Sequence, residues 1–79
     1  MKNLRKKVIE ILTEVRPEFD FNEDINFIEA GMLDSFDIVN LVSTLDEAYG
    51  ISIDGIDILP ENFSSISNII SLLKNNGAK

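Results

Sequence analysis

The chain offers one hydroxyl in a setting where chemistry could be done on it: Ser35, in Gly31-Met32-Leu33-Asp34-Ser35-Phe36. It stands where a long loop meets a helix. In a first helical turn the backbone N–H groups lack partners, and the helix dipole favours an attached anion. The hydroxyl should be exposed, because the inward apolar stripe of that helix begins only at Ile38. There is no His and no Cys, so no histidine of this chain can activate the serine. Any reaction at Ser35 must therefore be brought by another protein. Asp-Ser at a helix start is also ordinary capping chemistry, and the dipeptide alone does not separate the two roles.

Other chemistry is poorly supported. Asp20-Phe21-Asn22-Glu23-Asp24 opens like a calcium loop, but its sixth and twelfth positions are Ile25 and Gly31 where Gly and Glu are needed. No metal site is expected. Carboxylates are plentiful, yet paired acid–base catalysis needs a cleft that 79 residues can hardly build. The chain is not expected to be an enzyme.

The elements that must position Ser35 follow from periodicity. Leu4, Val8, Ile11, Leu12 and Val15 form one helical stripe, and Pro17 ends it, giving a helix over about 2–16. Residues 17–34 have no sustained period, a long link where ~2–8 residues are usual. They carry Phe19, Phe21, Ile25, Phe27, Ile28, Met32 and Leu33, so the loop should pack, with Phe27 and Ile28 as its buried anchors. Asp34 caps a second helix over 35–49, and Asp37 completes a shortened capping box. Ile38, Leu41, Val42, Leu45, Ala48 and Tyr49 face inward, and Gly50 stops the helix. Residues 51–63 are irregular, with one short helical turn near 56–62. Ser64 or Ser65 caps a last helix with Ile66, Ile69, Ile70, Leu72 and Leu73 inside and Gly77 as its stop. The expected fold is all-α: a small four-helix bundle of three main helices and one short one, with a long first loop, as a single domain over 1–79. Branched apolar residues fill the expected core, so no large preformed cavity is expected.

Charge limits the partners. The net charge is −7, but residues 1–16 carry +3 and residues 17–73 carry −12 without a single Lys or Arg. Such acidity argues against nucleic acid and anionic membrane, and would attract basic protein surfaces. No apolar run approaches a membrane span or a signal peptide's core, so the expected address is the cytoplasm.

One family unites these features. The chain resembles the acyl carrier proteins in Phe27-Ile28-Glu29-Ala30-Gly31-Met32-Leu33-Asp34-Ser35-Phe36-Asp37-Ile38-Val39-Asn40-Leu41-Val42. Asp46-Glu47-Ala48-Tyr49-Gly50-Ile51 and Phe63-Ser64-Ser65-Ile66 continue the likeness over nearly the whole length. The resemblance implies a covalent 4′-phosphopantetheine arm on Ser35, placed there from coenzyme A by a phosphopantetheinyl transferase. The arm's thiol would hold an acyl or aminoacyl group as a thioester. Implied partners are that transferase, a loading ligase or synthase and downstream transferases, meeting a monomeric carrier. On the second helix Phe36, Val39, Asn40, Ser43 and Glu47 lie away from the core stripe, with Asp34, Asp37 and Asp46 near them, and form the expected docking face.

The likeness has departures. Phe36 stands where many carriers have Leu or Met, and Asn40 and Ala48 stand where many fatty-acid carriers have acids. These last two changes weaken the acidic face and speak against a housekeeping role in fatty-acid synthesis, while Gly31-Met32-Leu33-Asp34-Ser35 looks more like the D-alanyl and aminoacyl carriers, or a dedicated carrier of a specialised pathway. The rival readings from the residues are an unmodified helical interaction module and a calcium sensor.

Overall fold

The computed structural model describes residues 4–22 and 25–77. Three α-helices run in order: α1 Leu4–Val15, α2 Ser35–Tyr49 and α3 Ile66–Asn75. Two short 3-10 turns, Gly55–Asp57 and Pro60–Phe63, lie between α2 and α3. There is no strand among the described residues. The all-α expectation holds, and α2 has the expected bounds.

α1 packs against both α2 and α3, and the second 3-10 turn packs against α3 and α2. Val8, Ile11 and Leu12 of α1 meet Ile38, Leu41 and Leu45 of α2 and Ile66, Ile69, Leu72 and Leu73 of α3 in one core. Leu4, Val15, Val42, Tyr49 and Ile70 flank it half-buried. Ala48, expected inside, is exposed. It sits at the edge of the α2 stripe, one position before the half-buried Tyr49. The Tyr49 hydroxyl is shut from water without a hydrogen-bond partner among the described residues, and burial raises its pKa above the ordinary value.

The fourth helical element differs in kind from the single turn expected near 56–62. Pro60 starts the second 3-10 turn, and Leu59 before it is extended, with φ −118° and ψ 142°. A residue preceding proline is excluded from helical geometry by the proline ring. One helical piece therefore becomes two. At the far end, Ser65 caps α3 by accepting the Asn68 N–H at 3.1 Å. The stop involves Asn76 as well as Gly77. The Asn76 amide donates to the Leu72 carbonyl at 2.9 Å, and its side-chain oxygen accepts the Asp54 N–H at 3.1 Å.

The first connection is packed as expected. Phe21, Phe27, Met32 and Leu33 are buried, and the Phe21 and Phe27 rings meet edge to face at 5.1 Å. The Phe27 backbone is a junction. Its N–H donates to the Ser64 carbonyl at 2.8 Å, and its carbonyl accepts the Met32 N–H at 2.9 Å. Ile28, expected as the second anchor, is only half-buried. It lies in a turn held by Asn26, whose side-chain oxygen accepts the N–H groups of Ile28 and Glu29. That turn directs Phe27 inward and leaves Ile28 at the rim.

Candidate functional site

The start of α2 is built from a reciprocal cap. Asp34 is extended, with φ −120° and ψ −173°, and its Oδ1 accepts the Asp37 N–H at 3.0 Å. Asp37 Oδ2 in return accepts the Asp34 N–H at 3.1 Å. Both halves of the capping box expected from the sequence are present.

A third residue, Arg16, completes this corner. Its Nε donates to Asp37 Oδ2 at 2.8 Å, its Nη2 to Asp34 Oδ2 at 3.4 Å, and its Nη1 to Glu18 Oε2 at 2.9 Å. The Asp34 carboxyl is held below its ordinary range, first by the Asp37 N–H and further by the Arg16 charge. Arg16 is raised in turn by its hydrogen bonds to Glu18 and Asp37. Sequence reasoning assigned no role to Arg16. The one signal it carried was being the last base before 57 residues without one.

Asp37 departs from the expectation of a partner-facing acid. It is 7% exposed, and its carboxylate is spent on the cap and on Arg16. The reason is its position in the first turn, where a carboxylate folds back over the N-cap instead of projecting outward. Asp46 is likewise structural, accepting the Ile53 N–H at 3.1 Å.

The rest of the expected face is open. Ser35, the first residue of α2, is exposed, as are Asp34, Asn40, Ser43 and Glu47. Phe36 is 82% exposed and Val39 62%. Two further apolar groups, Ile56 at 78% and Leu59, join the exposed set from the 3-10 region. The sequence concealed them, since an irregular segment has no period from which to read orientation. Ser35, Ile38, Val39, Ile58 and Pro60 line a shallow depression of about 200 Å³ beside the hydroxyl. Asp20, from the rejected calcium loop, accepts the N–H and the side-chain amide of Asn22, while Asp24 lies outside the described residues.

Three helices around one core, with an exposed serine in the first turn of the second, are the geometry that any likeness to known proteins must account for. Over residues 3–73 the chain matches the family described as the phosphopantetheine attachment site. It is also 30% identical over 71 residues to the D-alanyl carrier protein of Bacillus velezensis, an alignment covering 87% of this chain and 91% of that one. The chain belongs to the acyl carrier protein family of phosphopantetheine carriers. It is a carrier and not a catalyst, and the group such a domain holds is covalent 4′-phosphopantetheine.

The residues at the start of α2 fit that group. A phosphodiester needs an oxygen to hang from, open approach and a tolerant field. Ser35 is exposed, the first turn of α2 favours an anion, and Arg16 offsets the carboxylates of Asp34 and Asp37. The apolar walls from Ile38, Val39, Ile58 and Pro60 can lie against the aliphatic part of an arm. Among the described residues no helix is long and apolar enough to cross a membrane.

Proposed function

We propose that Ser35 is the attachment residue, and that the chain works as a single carrier domain over 1–79 in the cytoplasm, as a monomer. The observation that carries this reading is the exposed Ser35 hydroxyl at the capped start of α2. The chain has no histidine to deprotonate it, so a separate transferase supplies the base. In the modification the Ser35 oxygen bonds to the pantetheine phosphorus of coenzyme A. The bond from that phosphorus to the leaving adenosine 3′,5′-bisphosphate breaks, and the serine proton passes to the transferase. When attached, the arm supplies a thiol that a cysteine-free chain lacks, on which an acyl or aminoacyl group rides as a thioester.

The protein's own residues do the rest. Asp34, Asp37 and Arg16 fix the direction in which Ser35 leaves the helix. Phe36 and Val39, with Asn40, Ser43 and Glu47 beside them, form the face on which the transferase, a loading ligase and downstream transferases dock. Ile56 adds a third exposed apolar group, from the 3-10 region. Its acids steer basic partners.

For the cargo, an aminoacyl group is the reading we favour, with D-alanine as its best-supported member. Support comes from the D-alanyl carrier relative and from Asn40 and Ala48, which leave α2 less acidic. The test uses coenzyme A and a broad-specificity phosphopantetheinyl transferase, read by intact mass. The wild type is expected to gain one arm and Ser35→Ala none. No gain with several transferases would reject the carrier assignment of Ser35 and leave an unmodified interaction module. The mass of the protein isolated from its own cell then identifies the cargo.

A further inference from the structure

We infer that Arg16 is a positioning residue for the modification of Ser35: by bridging both carboxylates of the capping box, it holds the serine oxygen in the orientation that arm transfer requires. This rests on Ser35 being the attachment residue.

The geometry is specific. Arg16 lies just beyond α1, yet its guanidinium reaches the two residues that close the first turn of α2, at 2.8 Å to Asp37 and 3.4 Å to Asp34. Asp37 Oδ2 serves two donors at once, the Arg16 Nε and the Asp34 N–H. Its side chain is 10% exposed, so water can do little to solvate its charge. Remove Arg16 and the Asp37 carboxylate loses the cation that seats it over the cap and is free to swing outward. A swing breaks its bond to the Asp34 N–H and frees the backbone next to Ser35. A single cation spanning 21 residues of chain thus decides whether the N-cap is rigid.

The second effect is electrostatic. The phosphodiester adds one negative charge beside Asp34, whose side chain is 59% exposed. Residues 17–73 contain no other base to offset that charge. Arg16 is already seated on Asp34, so it lowers the repulsion that the incoming phosphate meets. A lysine there would keep the charge but not the planar fork that engages Asp37 and Asp34 together.

The test compares arm transfer from coenzyme A by a broad-specificity transferase on wild type, Arg16→Gln, Arg16→Lys and Asp37→Asn. All are assayed at a temperature where circular dichroism shows them folded. For Arg16→Gln, kcat is expected to fall about tenfold, the scale of a small misplacement of a reacting atom. KM stays level or drops, because the docking face has become more acidic. Arg16→Lys recovers part of kcat. In the Asp37→Asn background, where the bridge to Asp37 is already lost, adding Arg16→Gln lowers kcat by less than it does in the wild type, only the charge offset at Asp34 being removed, and an equal fall would overturn the inference. Amide exchange gives a readout independent of transfer: the Asp34 and Asp37 N–H groups exchange faster in Arg16→Gln, while Ile69 in α3 keeps its protection. An unchanged kcat, a raised KM at constant kcat, or equal acceleration of exchange at Ile69 would each overturn the inference. Should Arg16→Gln not fold, Arg16→Lys and Asp37→Asn decide it. A lysine variant transferring as fast as wild type overturns the positioning role, and one slowed at constant KM supports it. A wild type that takes up no arm rejects the attachment reading instead.

Discussion

The two long connections of this protein do opposite work. The first, 16–34, turns most of its large side chains inward: Phe21, Phe27, Met32 and Leu33 are buried, with Ile25 left outside, and Arg16 and Asp34 tie its ends together. The second, 50–65, turns Ile56 and Leu59 outward while burying Ile53, Phe63 and Ser64. Both are irregular, and both flank α2. The difference teaches how a small carrier divides its labour. One loop braces the start of α2, where the proposed attachment residue Ser35 stands, and the other displays apolar surface. The two meet where the Phe27 N–H donates to the Ser64 carbonyl.

The largest expected effect breaks this contrast directly. Phe27→Ala removes a fully buried ring from the first connection and should cost about 3–5 kcal/mol, measured by urea unfolding. Ile56→Ala in the second should stay within ~0.5 kcal/mol of wild type in the same assay. Its effect should appear in docking, as a raised KM for arm transfer. Equal destabilisation by the two changes would end the distinction between scaffold and display.

A middle-sized effect probes the exit of the second connection. Ser65→Ala removes the side-chain acceptor of the Asn68 N–H and should cost about 1 kcal/mol, seen as a lower Tm. It should leave arm transfer to Ser35 unaltered, since the cap of α3 does not touch the cap of α2. A slowed transfer would mean that the two connections are more tightly coupled than their shared hydrogen bond indicates.

The smallest effect is a pH dependence belonging to the first connection. Asp34 and Glu18 have folded-state pKa values below their ordinary 3.8 and 4.5. Asp34 is lowered first by the Asp37 N–H, and Glu18 first by its own backbone N–H and then by Arg16. Lowered carboxylates contribute stability that is complete above those ordinary values and is lost as the pH falls through the folded ones. Thermal melts should therefore weaken on acidification below about pH 4. Asp34→Asn should flatten that decline. An unchanged acid profile in the variant would show that the cap does not depend on the Asp34 charge.

Much of this molecule can be read from its residues in order. The stripes of α1 and α3, the bounds of α2, the Asp34–Asp37 cap and the exposure of Ser35 and Phe36 all follow from rules acting within a few residues of each other. Helical period, capping and the proline rule are local, so the sequence carries them in full. Asp37 is instructive, since its place in the capping box was legible while its burial was not. Burial depends on what lies over the residue, and here that is Arg16, distant in the chain. Ile28 at the rim and Ile56 outside belong to the same class, because irregular segments have no period and their side chains take direction only from what they meet. By itself, then, the order of residues determined the helices and the identity of the serine at the start of α2. Tertiary packing alone decided which loop would brace the start of α2 and which would leave apolar side chains outside, because contacts between distant residues exist only once the chain has closed on its core.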